Sequence, residues 1–346
     1  MILLTDRPDQ SAKLQRLLSL WGPCTIADAR ALPRKPRAAE RLLIVDLDLS
    51  GQEAVSAARA AIAKARAPGV PMLHLLRTPS ARAEAQANAL GARRVLPAQI
   101  EPRRLLDEVD RMLDTAGTAS PAMRQNFIAA SVGVGEVLSQ AAAGKPLPMV
   151  AVRESVEAIN RAADDLHLDG WLSMVWNHDD RTYQHCLLVA GLAAAFSRRL
   201  GFSEEARRLV TAAALLHDIG KARIAVEILN KPGALSPDEL LTMRQHPVIG
   251  YEMLKSQGGF DEDVIAAARS HHEYLDGSGY PQGLAAAQIP DVVRMVTICD
   301  IYAALVERRA YREVMAPEAA YNVLAGMKGK LDPDLLRAFR AVVLPQ

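Results

Sequence analysis

The sequence predicts two domains of different class: an α/β N-terminal part built on a parallel sheet, and an all-α C-terminal part. Three observations carry this. Over about the first 113 residues, short apolar runs alternate with alanine-rich segments of helical period. That alternation is the pattern of a parallel sheet covered on both faces. From Val152 onward the apolar period is helical nearly throughout, with no convincing strand. The 346 residues, half of them apolar, suffice for two cores, and abundant alanine with few aromatics favours helix.

Composition also excludes. A net charge of +1 gives no global field to draw nucleic acid or anionic membrane. No apolar run is long enough to span a bilayer, and the Met1-Ile2-Leu3-Leu4 start reaches Asp6 and Arg7 too soon for a signal peptide. Cys24, Cys186 and Cys299 are odd in number and far apart, which fits a reducing cytoplasm and no disulfide framework.

In the first part, residues 1–113, the runs Met1–Leu4, Leu42–Val45, Val70–Leu76 and Arg94–Leu96 read as strands. Gln52–Ala67 and Ser80–Leu90 read as helices between them. Asp6 and Asp46 follow two of the strands and are expected to meet at the carboxyl edge of the sheet, where open α/β folds place their sites. On these residues the first part resembles a response-regulator receiver domain of flavodoxin-like fold. The resemblance puts Asp46 at the phosphoacceptor position and Asp6 at a Mg²⁺-binding position. It fails where the family has Thr or Ser, here Leu76, and where it has Lys-Pro, here Ala98-Gln99. The expectation is a degenerate receiver used for dimerisation or docking, with phosphorylation of Asp46 the lesser reading. Arg30, Arg34, Lys35, Arg37 and Arg41 crowd one Pro-containing loop, read as a solvated basic loop.

Residues 114–150 join the two parts. Thr115–Pro121 reads as a linker, Met123–Ala142 as a helix weakened by Gly133 and Gly135, and Gly144–Pro148 as a break. The segment is either a signalling helix or a spacer.

The second part, residues 151–346, carries the chemistry. His185 shares the apolar stripe of Leu188, Leu192 and Phe196. The helix from about Glu204 to Leu216 ends in His217-Asp218-Ile219-Gly220-Lys221, charged groups that are costly to bury without a counter-ion. Ser236-Pro237-Asp238-Glu239 is a capping box, read as starting one helix on which Met243, His246, Gly250 and Met253 share a face. Ile265–Ser270 leads into His271-His272, followed by the turn Glu273-Tyr274-Leu275-Asp276-Gly277-Ser278-Gly279-Tyr280-Pro281. Val293–Ile298 ends in Cys299-Asp300. Five of the chain's eight histidines and two aspartates thus lie on or beside apolar faces. Imidazole and carboxylate suit a redox-capable or Lewis-acid metal, and seven side chains exceed what one ion uses, so the count favours a binuclear centre.

These motifs, with Lys231-Pro232-Gly233, Gly283-Leu284, Ile289-Pro290, Arg309, Tyr311-Arg312 and Asp332-Pro333, resemble an HD-GYP domain phosphodiesterase over about 155–340. The resemblance implies an all-α HD-domain helical bundle that hydrolyses cyclic di-GMP to linear pGpG and onward to GMP. It implies two divalent ions, iron or manganese. His185, His217, Asp218 and Asp300 would hold one, and Asp218, His246, His271 and His272 the other. Lys221, Arg309, Arg312 and Tyr280 would meet the substrate. Glu273, Asp276 and Tyr280 are open between ordering the turn, touching substrate and meeting a diguanylate cyclase partner.

Two departures bear on this. Arg181 stands where some members place a glutamate for a third metal, which argues for two. Ala303 stands where the family often has a second Asp. His74, His167 and His178 are read as non-ligands. The alternatives are another cyclic dinucleotide such as cyclic GMP-AMP as substrate, or a low-turnover sensor or scaffold.

Overall fold

The structure is a computed structural model. It describes residues 1–19, 24–31, 41–113, 121–164, 168–175, 181–231, 233–307 and 315–344, without the side chains of 121, 168, 169, 173 and 181. The chain divides into two compact units that part near residue 117.

The first unit holds β1 (Ile2–Thr5), α1 (Ala12–Ser19), β2 (Thr25–Asp28), β3 (Leu43–Asp46), α2 (Gln52–Ala65), β4 (Met72–Leu76), α3 (Ala81–Ala89), β5 (Arg94–Pro97) and α4 (Pro102–Leu113). The strands form one parallel sheet in the order β2-β1-β3-β4-β5. The three central strands are apolar and buried, because helices cover both faces of a parallel sheet. The strand β2 is absent from the sequence reading. It is a half-exposed edge, Thr-Ile-Ala-Asp, with too few apolar residues to form a run. The α3 helix begins where Ser80 accepts from the N–H of Ala83.

His74 is the one histidine on this sheet. It lies on β4 opposite Val45 and Val95 and is fully buried. Burial pushes its pKa down to about 4 from 6.5, with Asp46 pulling up and Arg77 pushing down. Between those values the unfolded chain binds a proton that the folded one refuses. Stability is therefore complete above about 6.5 and falls by about 3 kcal/mol as pH drops to 4. Thermal melts of wild type and His74→Leu are expected to run close at pH 7 and to separate at pH 4.5, with the variant melting higher. An equal loss in both chains would count against this.

The second unit is helical. It holds α5 (Pro121–Ala142), α6 (Met149–Asp164), α7 (Leu168–Val175), α8 (Arg181–Arg199), α9 (Glu204–Leu216), α10 (Val226–Leu229), α11 (Pro237–Met243), α12 (His246–Gln257), α13 (Glu262–Ser270), α14 (Asp291–Val306), α15 (Pro317–Gly326) and α16 (Pro333–Val343). The α8 helix is buried almost throughout and packs on α6, α9, α14 and α16. Phe196 of α8, Phe339 of α16 and Tyr302 of α14 meet edge to face. Gly133 and Gly135 do not break α5, which packs along α6.

The single helix read from Ser236 through Met253 is two. The capping box is present, but α11 stops at Met243 and α12 starts afresh at His246. Pro247 offers no N–H and disfavours a helical residue before it, so it suits the opening of a new helix. The break matters because it puts His246 at a helix start.

Candidate metal centre

Six elements deliver the seven candidate ligands. His185 comes from α8. His217 caps α9, and Asp218 leads the 3-10 turn Ile219–Arg223. His246 opens α12, His271 caps α13 with His272 next, and Asp300 lies on α14. Apart from His272, with a side chain 23% exposed, all are buried.

Three of the histidines have a fixed tautomer. His217 Nδ1 lies 2.7 Å from Ala214 O, His246 Nδ1 2.7 Å from Met243 O, and His271 Nδ1 3.0 Å from Ala267 O. Each Nδ1–H donates to a carbonyl one turn back, which leaves the Nε2 lone pair facing the cluster. His246 Nε2 and His271 Nε2 then face each other at 3.2 Å. His217 Nε2 is buried with no hydrogen-bond partner. Lone pairs aimed at one another in a buried site are what a cation resolves.

Asp218 stands between two groups. Its Oδ2 is 3.5 Å from His185 Nε2 and 3.4 Å from His217 Nε2; its Oδ1 is 3.1 Å from His246 Nε2 and 3.6 Å from His271 Nε2. On one side, His185, His217 and Asp300 offer ligand atoms within 4.8 Å of one another; on the other, His246, His271 and His272 do. Asp300 takes a hydrogen bond from His185 at 2.9 Å, and its other oxygen is 3.7 Å from His272 Nδ1.

The charges follow from these contacts. Burial alone would raise the Asp218 carboxyl, but Lys221 and His217 outweigh it and hold the group well below its ordinary value. Burial likewise opposes ionised Asp300, and His185 and the neighbouring imidazoles overcome it. Burial pushes His271 well down, helped by His272 and His217, and takes His272 to about 4 against the pull of Asp300. Burial would lower His217, but Asp218 and Asp300 outweigh it and raise the group. Ionised Asp218 and Asp300 beside His271 and His272, both held toward the neutral form, are donors that suit a divalent cation, so the residues present fit such an ion.

Lys221 Nζ is 2.5 Å from Asp218 Oδ2, and its side chain is 22% exposed. Tyr280 stacks on His272 with ring centroids 4.7 Å apart, and the guanidinium of Arg244 lies over the Tyr280 ring, 5.0 Å from its centroid. Arg244 was not among the residues singled out from the sequence, since a cation at a helix end carries no signal by itself. Arg309, Tyr311 and Arg312 lie outside the described residues, as do His167, His178 and Pro232.

The turn after His272 is ordered from within by Glu273. Its carboxylate is buried and accepts from the backbone N–H of Gln282 at 2.6 Å, Gly283 at 3.0 Å and Leu284 at 3.0 Å. This decides for Glu273 a role the sequence left open. Asp276 is exposed and accepts from Ser278, a local turn contact. Gly277 has the left-handed φ of +76° that the turn requires. Gly279 instead makes room, since a Cβ there would stand 2.6 Å from Tyr274 N. Glu273→Gln places an NH₂ among three N–H donors. It is expected to cost about 1–3 kcal/mol and to speed amide exchange at Gln282, Gly283 and Leu284. Unchanged protection at those amides would show that the carboxylate does not hold the turn.

In the first unit, Asp6 and Asp46 do meet, and a guanidinium stands between them. Arg77 Nη2 is 2.5 Å from Asp6 Oδ1 and 2.7 Å from Asp46 O, and Nε is 2.8 Å from Asp46 Oδ1. Thr5 Oγ1 donates to the other Asp46 oxygen at 3.2 Å. Arg30 pairs with Asp28, and Arg41 donates to Leu113 O; Arg34, Lys35 and Arg37 lie outside the described residues.

A family model described as "HD domain" matches residues 148–335. The cyclic di-GMP phosphodiesterase response regulator RpfG of Xanthomonas campestris is 44% identical over 152 residues, 43% of this chain and 39% of that protein. Cyclic di-GMP phosphodiesterase PA4108 of Pseudomonas aeruginosa is 38% identical over 175 residues, 50% and 42%. The 3'3'-cGAMP-specific phosphodiesterase 1 of Vibrio cholerae is 38% identical over 144 residues, 41% and 33%. The chain therefore matches a third to two fifths of the length of these relatives. Among solved structures, Bd1817, an HDG"Y"P protein from Bdellovibrio bacteriovorus, superposes with a TM-score of 0.52 at 20% identity, over 76% of this chain and 81% of that one. That likeness speaks to fold.

Proposed function

The chain belongs to the HD domain family, matched over more than half its length, and on that premise we propose that it is a metal-dependent phosphodiesterase acting on cyclic di-GMP. The product is linear pGpG, with GMP beyond it. The observation that carries this reading is the carboxylate of Asp218, with one oxygen toward each of two ligand groups. His185, His217 and Asp300 with Asp218 would hold one divalent ion, and His246, His271 and His272 with Asp218 the other, iron or manganese by resemblance to HD-GYP enzymes. Bound there, such a pair supplies Lewis acidity and lowers the pKa of water.

The chain's own residues do the rest. Backbone carbonyls hold His217, His246 and His271 in the tautomer that turns Nε2 inward, so no reorganisation is needed on binding. Lys221 brings a positive charge to the edge of the cluster, where it offsets charge growing on phosphoryl oxygens. Tyr280, held by the His272 ring and the Arg244 guanidinium, lines the cavity at the cluster, where its edge and hydroxyl can meet the substrate. Arg309 and Arg312 would grip phosphate oxygens, for which the guanidinium fork is suited.

The test is turnover of cyclic di-GMP and cyclic GMP-AMP by chain loaded with Mn²⁺ or, anaerobically, Fe²⁺. Hydrolysis of cyclic di-GMP is expected. Preference for cyclic GMP-AMP would favour the second reading, prompted by the Vibrio cholerae relative. Metal bound with neither substrate cleaved would favour a sensor or scaffold. A diguanylate cyclase partner at the Glu273–Pro281 turn and a homodimer through the first unit rest on resemblance alone; pull-down and sedimentation test them.

For the first unit, the strand order and the Asp6–Asp46 pair support a receiver-like module. Arg77 supports the reading that the module works without phosphorylation. Its guanidinium already supplies the positive charge that a Mg²⁺ ion would bring between the two acids. Incubation with acetyl phosphate and Mg²⁺ is expected to add no mass to the intact chain. A phosphoryl adduct at Asp46 would overturn this.

No described helix is long and apolar enough to cross a membrane.

A further inference from the structure

Of the five imidazoles at the cluster, four are held by a hydrogen bond: backbone carbonyls accept from His217, His246 and His271, and His185 meets Asp300 at 2.9 Å. His272 differs. Its side chain is 23% exposed, and its Nδ1 stands 3.7 Å from Asp300 Oδ2, beyond hydrogen-bond reach. Rings surround it instead. His271 lies at 4.1 Å between centroids, His246 edge-on at 5.1 Å, and Tyr280 stacked at 4.7 Å with 25° between the planes. His271 and His246 are ligand candidates themselves and would turn to the same ion. Of these three rings, Tyr280 alone stands outside the ligand set, so the plane of His272 depends on it.

Two contacts put Tyr280 there. Its N–H donates to the carbonyl of His272 at 3.2 Å, which folds the turn back over the residue where it began. The Arg244 guanidinium lies over its ring, 5.0 Å from the centroid. A cation over an aromatic face is attracted by the ring quadrupole. Arg244 closes α11 just before His246 opens α12. One helix junction thus supplies a ligand candidate and the charge that steadies the ring stacked on another.

Resting on the reading that His246, His271 and His272 with Asp218 hold one of two divalent ions, we propose that Arg244 is a positioning residue for that ion: it steadies Tyr280 against His272, and Tyr280 keeps the His272 ring turned toward the metal. Partners behind a metal ligand contribute about ten- to a hundred-fold in affinity. The sign of the effect separates this role from plain electrostatics. Arg244 is a positive charge near a site for cations, so its removal would tighten metal binding if charge alone mattered. Positioning demands the reverse.

Calorimetric titration of Mn²⁺ into the metal-free full chain tests this, with no turnover required. His272→Ala marks which ion belongs to that side. Arg244→Met, which keeps the length of the side chain and removes its charge, is expected to weaken the same ion about three- to ten-fold and to leave the other unchanged. Tyr280→Leu is expected to weaken it about ten-fold or more. Arg244→Lys and Tyr280→Phe are expected to stay within about two-fold of wild type in metal affinity, since a cation and a ring are what hold His272. Arg244 is exposed, so a thermal melt near that of wild type is expected for its variants. Unchanged or tighter Mn²⁺ binding in Arg244→Met overturns the proposal. So does equal loss of both ions, or a Tyr280→Phe chain as weak as Tyr280→Leu. A raised KM with metal binding intact in Arg244→Met would make Arg244 a substrate contact instead, and also overturns it. Arg244-dependent metal binding without hydrolysis of cyclic di-GMP would sink the phosphodiesterase reading and keep Arg244. Hydrolysis with metal binding indifferent to Arg244 would do the reverse.

Discussion

Asp218→Ala is expected to lower cyclic di-GMP hydrolysis by at least about a thousand-fold and to reduce bound metal at both ligand groups. Asp218 is 1% exposed and lies within 3.6 Å of two histidines of each group, one oxygen toward each. Its loss removes one donor from each side at once and leaves Lys221 without its nearest counter-charge. The double change with His217→Ala is expected to deepen the metal loss on the His185–Asp300 side. Elemental analysis of anaerobically purified chain gives the readout, with a thermal melt to show that the fold persists. A variant that keeps the wild-type metal content would refute the ligand assignment, whatever its rate.

Gly220→Ala is expected to act almost as strongly without touching a ligand. A Cβ at residue 220 would overlap the carbonyl of His246 and stand 2.6 Å from Gly250 N, both of them backbone atoms. Backbone cannot swing aside as a long side chain can, so the Asp218–Arg223 segment and α12 must part. Overpacking of this kind costs about 1–3 kcal/mol. The larger effect is on chemistry, because parting carries His246 away from Asp218, now 3.1 Å from it. A displacement near 1 Å at a catalytic site costs about a hundred-fold in rate. Activity is expected to fall by that order, with metal lost first from the His246–His271–His272 side. Wild-type stoichiometry and rate in this variant would mean that the contact yields freely.

The helical unit was legible because its chemistry sits on periodic faces. His185 lay in phase with Leu188, Leu192 and Phe196, and His217-Asp218 closed an apolar run whose bounds, Glu204–Leu216, match α9. What escaped the sequence had no period to betray it. The strand β2 is four residues long on a sheet edge. The break between α11 and α12 rests on Pro247, which a face drawn from Met243 to Met253 passed over. Arg77 sits one residue past Leu76, where comparison stopped at a missing hydroxyl; the guanidinium beside it only gains meaning once Asp6 and Asp46 are seen to flank it. Glu273 reads in sequence as one more acid in a turn, and three backbone donors show what it holds.

The packing of α5 has a practical consequence. The recognisable family sequence starts at 148, yet α5 lies wholly before it and lends the helical unit part of its interior. Phe127 meets Trp171 edge to face at 5.1 Å, Tyr183 donates to Ser131 O, and α5 also touches the short turn that carries Lys221. A chain trimmed to the motif boundary would uncover Trp171 and loosen the floor beneath Lys221, and its inactivity would be mistaken for a property of the catalytic residues. A piece that is to keep these contacts must begin near 121, some twenty-seven residues ahead of where family likeness starts.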